Sequence, residues 1–197
     1  TSERHDVMAR SRYTLRMLLI LLSGCFGPES YCAEADLFYV YAHEDDSFGG
    51  CTFETSRDVG GIRCLGKPFT TKTWKDGSVA LCYLDGPQTV AGIDFPVDTS
   101  VSLFEDGTLS SFQLSPNSDG PSPTVSYRGT SCTKAEIHEN GQIAVCRNFD
   151  PKGSKGPVDV TCWAEDGTTV DLRSCMRRQI PSAYSTWDAQ VHKKKKR

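Results

Sequence analysis

Apolar and polar residues alternate along much of the chain between residues 65 and 175, and an Asp-Gly or Asn-Gly pair interrupts the alternation at intervals. Strict alternation places successive side chains on opposite faces of a strand, so each flank of such a pair is expected to be a half-buried β-strand. Four consecutive β-hairpins are therefore predicted. Their turns are Asp76-Gly77, Asp106-Gly107, Asn140-Gly141 and Asp166-Gly167, with glycines 30, 34 and 26 residues apart.

Each Asp-Gly or Asn-Gly pair is expected to form a two-residue type I′ turn, in which both central residues have positive φ. Counting outward from the turns predicts which residues face each other across each hairpin. The inner pairs are Trp74–Val79, Phe104–Leu109, His138–Ile143 and Ala164–Thr169, and the outer pairs are Val101–Phe112, Ala135–Cys146 and Trp163–Val170. Because one isolated hairpin is only marginally stable, the hairpins are expected to pair or stack.

The remaining segments complete an all-β prediction. Residues 89–97 are interpreted as one short strand that bends at Gly92 and stops at Pro96. No stretch after the start of the chain has a convincing helical period. The predicted fold is an antiparallel, disulfide-containing sheet or sheets built from consecutive hairpins. Its predicted parts are the upstream and signal residues 1–24, an N-terminal segment 25–64, a hairpin-repeat domain 65–175 and a basic tail 176–197.

The hairpin pattern over residues 65–175 resembles the tandem hairpin repeats of uncharacterised bacterial secreted proteins and, more distantly, MORN repeats. The resemblance lies in the turns and the strand pattern, since the dense Gly and Tyr set of MORN repeats is missing here. It implies an elongated or sandwiched antiparallel sheet and no specific activity.

The start of the chain is organised as an export signal. Arg10, Arg12 and Arg16 precede the apolar run 17–22, which residues 23–26 extend, and Gly27-Pro28 ends it. The run has about half of the roughly 20 residues that a membrane-spanning helix needs, so it predicts a secretory signal and not a transmembrane anchor. Residues 1–7 precede Met8 and are interpreted as the remains of a tag or of an over-extended reading frame.

Two processing sites compete behind the apolar run. Leu22-Ser23-Gly24-Cys25 resembles the lipobox of bacterial lipoproteins, which implies cleavage before Cys25 and lipidation of that residue. Phe26 as the next residue implies the outer membrane, where the host has one. The alternative is ordinary signal cleavage after Ala35, at the A-x-A pattern of residues 33–35.

Export would place the nine cysteines where disulfides persist. A lipid on Cys25 leaves eight, an even number, whereas cleavage after Ala35 leaves seven and one unpaired thiol. The sequence leaves the connectivity open. The candidate disulfide residues are Cys32, Cys51, Cys64, Cys82, Cys132, Cys146, Cys162 and Cys175.

Neither polar cluster of the chain predicts a metal or catalytic site. Residues 43–46 (His-Glu-Asp-Asp) do not fit a calcium loop and are interpreted as a solvated acidic turn. His138 lacks the second histidine of a zinc protease motif, because Gln142 stands there, and is interpreted as an imidazole packed on a hairpin face. There is no nucleophile elbow, phosphate loop or dinucleotide motif. No catalytic residue, metal or cofactor is predicted.

The net charge, the basic run near the end of the chain and three aromatic residues indicate which classes of binding partner to expect. The formal net charge of −3 argues against binding nucleic acid. The basic run 193–197 is interpreted as a disordered, solvated end or a cloning artefact, or else as a contact to anionic lipid or polysaccharide. Tyr83, Phe112 and Trp163 are either core residues or part of a binding face.

Together these patterns predict a non-enzymatic, exported envelope lipoprotein that acts as a structural or binding module. It would be tethered to the membrane by its lipid and would bind an envelope protein or a polysaccharide. A freely secreted, disulfide-rich binding protein or inhibitor, cleaved after Ala35, is the alternative, and an envelope hydrolase is the third possibility.

Overall fold

The computed structural model describes residues 39–44, 48–115, 123–149, 157–177 and 191–195. These residues form an antiparallel, almost entirely β structure with disulfides, as the alternation predicts. The strands are β1 Tyr39–His43, β2 Phe48–Cys51, β3 Arg57–Val59, β4 Ile62–Cys64, β5 Thr71–Thr73, β6 Val79–Tyr83, β7 Gln88–Val90, β8 Ile93–Phe95, β9 Ser100–Leu103, β10 Leu109–Gln113, β11 Val125–Tyr127, β12 Thr130–Cys132, β13 Lys134–Ile137, β14 Ile143–Phe149, β15 Pro157–Cys162 and β16 Val191–Lys195. Within these ranges there is one short helix, α1, which spans Leu172–Arg177.

Ten of the strands form one sheet, in the order β15-β14-β13-β10-β9-β6-β5-β2-β1-β16. Consecutive hairpins, which we call sheet hairpins, build most of it: β1–β2, β5–β6, β9–β10 and β13–β14. Between successive sheet hairpins the chain makes a small two-stranded sheet, which we call a cover hairpin: β3–β4, β7–β8 and β11–β12. The repeating unit is therefore a cover hairpin followed by a sheet hairpin.

The repeat was expected to start at residue 65, but the first sheet hairpin, β1–β2, lies before that residue. His43-Glu44-Asp45-Asp46-Ser47 aligns with Phe104-Glu105-Asp106-Gly107-Thr108, with an aspartate in place of the turn glycine. We call the residue that enters each turn the turn-entry residue. The turn-entry residues of the five turns are His43, Trp74, Phe104, His138 and Ala164.

The Asp-Gly and Asn-Gly turns are not type I′, and that prediction was wrong. In the Asp106-Gly107 turn, Gly107 N–H donates to the Phe104 carbonyl at 2.9 Å, and Phe104 N–H donates to the Thr108 carbonyl at 2.8 Å. Gly107 has positive φ (82°), whereas Asp106 does not. The loop thus has three residues and ends on a left-handed glycine, and the same pair of bonds closes the other three turns.

The three-residue loops shift the register of the inner pairs by one residue. Leu109 pairs with Leu103 instead of Phe104. In the fourth hairpin Trp163 pairs with Thr169, so the predicted outer pair Trp163–Val170 is wrong. A β-bulge at Ser110 then cancels the shift, so the predicted pairing of Val101 with Phe112 is confirmed. Bulges at Ala80 and Ala144 do the same in their hairpins, which also confirms Ala135–Cys146. The predicted inner pairs Trp74–Val79, His138–Ile143 and Ala164–Thr169 are wrong for the same reason.

The tight two-residue turns occur in the cover hairpins, which the alternation did not predict. Both central residues have positive φ at Gly60-Gly61, Ala91-Gly92 and Arg128-Gly129. Residues 89–97 are therefore not one bent strand, because the chain reverses at Ala91-Gly92 between β7 and β8.

The cover hairpins pack on one face of the ten-stranded sheet and close the main core. Each unit has a pair of buried residues that joins the end of its cover hairpin to the second strand of its sheet hairpin. In two units the pair is a disulfide, Cys64–Cys82 or Cys132–Cys146, with Cα atoms 5.6 and 5.5 Å apart. In the middle unit it is Phe95 against Phe112, with ring centroids 5.3 Å apart. We call these pairs the unit braces.

The two edges of the sheet differ from the sequence-based interpretation. Beyond β15, the chain turns into α1, which Asp171 caps by accepting a hydrogen bond from Ser174 N–H at 3.0 Å and which Cys162–Cys175 ties to β15. At the other edge, β16 pairs with β1 over five residues. Residues 191–195 are therefore an edge strand, although no regular element was predicted there, because their backbone completes the ladder of β1.

Replacing Gly107 by valine is expected to lower the free energy of unfolding by about 1–2 kcal/mol, because a β-branched residue is forced into the left-handed region. No atom lies within 4 Å of a Cβ built at this position, so the cost comes from the backbone alone. Chemical denaturation of Gly107→Val beside Gly107→Asn tests this. Since asparagine tolerates positive φ, an equal loss in both variants would contradict the assignment.

Candidate functional site: the open face of the sheet

The face of the sheet opposite the cover hairpins carries two rows of side chains, set by the strand registers. We call this surface the open face, because no cover hairpin of the described residues packs on it. Its first row is Lys72, Leu81, Ser102, Ser111, Glu136, Val145 and Cys162, each directly opposite the next across neighbouring strands. In this row Lys72, Ser102, Val145 and Cys162 are buried, and the last two pack against Cys175 of α1. Its second row is Tyr83, Ser100, Gln113, Lys134, Arg147 and Val160.

The centre of the open face is lined by small hydroxyl groups. Ser100, Ser102 and Ser111 lie on β9 and β10, beside the exposed amide of Gln113. Ser100 and Ser111 are half-buried, and Ser102 is buried. Towards β6, Tyr83 stacks on Phe69 with ring centroids 4.2 Å apart. The strand alternation that sends Val101 and Phe112 into the core sends these polar residues to the open face.

Charged groups lie on the other side of the serines. Arg147 on β14 makes an ion pair with Glu136 on β13 at 2.5 Å. Lys134 lies directly opposite Arg147, and like charges at directly opposed positions are destabilising. The Glu136 carboxylate, which is paired with Arg147, offsets part of this repulsion.

The turn-entry rings link neighbouring hairpins. Trp74 Nε1 donates to the Leu103 carbonyl at 3.1 Å. His43 Nε2 donates to the Thr73 carbonyl at 3.0 Å, and His138 Nε2 donates to the Trp163 carbonyl at 3.2 Å. A carbonyl oxygen only accepts, so both imidazoles carry their proton on Nε2. Each acceptor is the residue just before the next turn-entry residue, so one contact recurs along the sheet.

These hydrogen bonds and the burial of the rings show what the two histidines singled out from the sequence do in the fold. His43 is only 2% exposed, so it is not part of a solvated turn, although its neighbour Glu44 is exposed. Asp45 and Asp46 lie outside the described residues. His138 is packed on a hairpin, as expected, and its ring also bonds to the next hairpin. Within the described ranges, no group of three or more metal-ligating side chains is found.

The turn aspartates hold the loops through local hydrogen bonds. Asp106 Oδ1 accepts from the Thr108 hydroxyl at 2.6 Å and from the Thr108 N–H at 2.9 Å. Asp76 accepts from Ser78 in the same way. These bonds lower the pKa of both carboxyl groups below 3.8, with the side-chain bond as the larger cause. In the Asn140 turn an amide oxygen takes the same place and accepts from Gln142 N–H.

We expect the two turn aspartates to make stability pH-dependent in acid. Because their pKa is lowered on folding, their contribution is complete above the unfolded pKa near 3.8 and is lost as pH falls through the folded values. The double variant Asp76→Asn, Asp106→Asn keeps an acceptor, as Asn140 does, but does not titrate. The melting temperature of wild type relative to this variant should be constant from about pH 7 to 5 and should fall below about pH 4. A difference that does not change with pH would contradict this account.

The aromatic residues considered for a binding face separate into two groups. Phe112 is 1% exposed and belongs to the core. Trp163 is half-buried and packs against the same core. Only Tyr83 of the three lies on the open face. Sequence alternation predicts two faces for each strand, but it does not indicate which of them the cover hairpins occupy, so the serine-lined surface was not foreseen.

The cysteines support export. Six of those in the described residues form three disulfides with one another, and Cys51 is disulfide-bonded as well. Disulfides of this number are typical of proteins that leave the reducing cytosol. Cys25, the predicted lipid site, and Cys32 lie outside the described residues, as do both candidate cleavage sites.

Comparison with known proteins finds no matching family model, no matching curated protein and no matching solved structure. Among the described residues, no helix has the length and hydrophobicity to cross a membrane.

Proposed function

We propose that this protein is a non-enzymatic, exported envelope lipoprotein that acts as a binding module. Its anchor is a lipid on Cys25, and its ligand is a polysaccharide that lies along the open face. The observation that carries the proposal is the second row of that face, in which Tyr83, Ser100, Gln113, Lys134 and Arg147 lie side by side on five adjacent strands.

The chemistry of this row suits a hydroxyl-rich polymer. Hydroxyl, amide, ammonium and guanidinium groups together offer both donors and acceptors, and the Tyr83 ring offers an apolar surface. With about 4.8 Å between strands, five neighbouring strands present these groups over roughly 19 Å. A long, shallow row of this kind suits a linear chain better than it suits a compact small molecule.

The unit braces support a binding role because they hold the row rigid. Cys82, Phe112 and Cys146 lie on β6, β10 and β14, the strands that carry Tyr83, Gln113 and Arg147 on the opposite face. A surface that is already ordered loses little conformational entropy when a ligand binds.

Binding to isolated peptidoglycan sacculi tests the ligand. We expect the double variant Gln113→Ala, Lys134→Ala to bind at least about tenfold more weakly in co-sedimentation, the effect of about 1.4 kcal/mol. Lys75→Ala is the matched control, since it removes an exposed lysine from a turn that lies off the open face. Equal losses in both variants would show unspecific attraction by charge and would contradict the proposed surface.

Cell fractionation tests the anchor. In a bacterial host, the wild-type chain is expected in the membrane fraction and Cys25→Ser in the soluble fraction. A soluble wild-type protein would favour the alternative, a freely secreted binding protein or inhibitor cleaved after Ala35. The third possibility, a hydrolase, is disfavoured because both described turn-entry imidazoles are nearly buried and bonded to backbone carbonyls.

A further inference from the structure

The unit braces occupy one fixed place in the repeat. One partner is the last residue of a cover hairpin, at the end of β4, β8 or β12. The other lies two residues beyond the β-bulge of the following sheet hairpin. The three observed braces are Cys64–Cys82, Phe95–Phe112 and Cys132–Cys146.

Cys51 occupies the same place in the first sheet hairpin. Ala42 pairs with Phe48 and Tyr41 with Gly50, so the bulge is at Gly49 and Cys51 lies two residues beyond it. Its side chain is fully buried and packs against Phe53. Cys51 is disulfide-bonded, and the other six described cysteines are paired with one another. Its partner therefore has to be sought between Cys25 and Cys32.

We propose that Cys51 is bonded to Cys32, as the brace of the first unit. In the observed braces the two partners are 18, 17 and 14 residues apart along the chain. Cys32 precedes Cys51 by 19 residues, whereas Cys25 precedes it by 26. The first brace partner also precedes the turn-entry residue by 10, 9 and 6 residues in the observed units, and Cys32 precedes His43 by 11.

The chemistry of this bond is ordinary thiol–disulfide exchange. The Cys32 and Cys51 thiols give two protons and two electrons to the disulfide of an exported thiol oxidoreductase, which leaves as a dithiol while the new S–S bond forms. Cys25 then remains as the one cysteine outside the four disulfides. This last step deepens the proposed function, because a sulfur that carries a lipid thioether cannot also form a disulfide.

Disulfide mapping of the full chain, exported from a bacterial host and blocked with N-ethylmaleimide, tests the inference. Digestion after glutamate, at Glu29, Glu34, Glu44 and Glu54, separates the three cysteines. Peptide 30–34 carries Cys32 and is expected to be linked to peptide 45–54, which carries Cys51. In Cys25→Ala this link should persist, and in Cys32→Ala the Cys51 thiol should become labelled.

Two results would overturn the inference: a link between Cys51 and the peptide that carries Cys25, or a labelled Cys51 thiol in the wild-type protein. The state of Cys25 is read separately in the same digest. A 30–34 to 45–54 link together with a maleimide-labelled Cys25 would support the brace and count against the lipid anchor.

Discussion

Replacing Phe112 by alanine is expected to lower the free energy of unfolding by about 3–5 kcal/mol, the range for a large aromatic residue removed from a core. Phe112 is 1% exposed, lies between β9 and β13 and packs against Phe95. The effect should be large at this position because the middle unit is braced by these two rings and has no disulfide in their place.

Gln113→Ala is the control for this variant. Gln113 is the next residue of the same strand, but it faces the open side and is exposed, so its loss should change stability by less than about 0.5 kcal/mol. Urea denaturation of both variants with an unchanged slope measures the difference. A loss below about 1 kcal/mol for Phe112→Ala would mean that the Phe–Phe pair does not brace its unit.

Trp74→Ala is also expected to lower the free energy of unfolding by about 3–5 kcal/mol. The reason differs, because Trp74 connects two neighbouring units. The Trp74 ring is buried against Ala80 and Phe104, and its N–H bonds to the Leu103 carbonyl of the next sheet hairpin. Truncation removes both the packing and the bond between hairpins. Circular dichroism during urea denaturation measures the loss without relying on the tryptophan signal.

Trp74→Phe separates the two contributions. Phenylalanine stands naturally at the equivalent position 104, so the ring should be accommodated and the main change should be the loss of the hydrogen bond from the indole N–H to the Leu103 carbonyl. The expected loss is about 0.5–1.5 kcal/mol, the usual net contribution of one hydrogen bond. If Trp74→Phe is as damaging as Trp74→Ala, packing of the ring contributes little and this account of the turn-entry residue is wrong.

The hairpin turns show how far the sequence could predict this fold. Asp106-Gly107 correctly predicted a chain reversal, because few residue pairs other than Asp-Gly and Asn-Gly favour one so strongly. It did not distinguish a two-residue loop from a three-residue loop, since both end on a glycine with positive φ. The outer pair Val101–Phe112 was nevertheless correct because the bulge at Ser110 compensates for the longer loop.

The missed elements lacked a strong local signal. The strands of the cover hairpins have three residues each, too few for alternation to be recognised, and Ala91-Gly92 is a weaker turn signal than Asn-Gly. The first sheet hairpin was missed because Asp46 stands where the other turns have glycine. This hairpin can be recognised in the sequence only when residues 43–47 are aligned with the other turns at the turn-entry residue.

The candidate site was less predictable than the fold. Tyr83 and Phe112 belong to equivalent strands and were equivalent candidates for a binding face, yet one lies on the open face and the other in the core. They lie six and five residues after their turn glycines, so alternation already assigns them to opposite faces, and the equivalent bulges at Ala80 and Ser110 leave this difference unchanged. Alternation did not indicate which of the two faces is covered. The serines gave no signal of their own, since Ser is common in exposed strands and turns.

The intact mass of the protein from the membrane fraction of a bacterial host tests the proposed lipoprotein most directly. We expect a chain that starts at Cys25, carries acyl chains and contains four disulfides, seen as a gain of eight mass units on reduction, one per cysteine thiol. A chain that starts at Asp36, found in the soluble fraction with an unpaired thiol, would contradict both the anchor and the brace between Cys32 and Cys51.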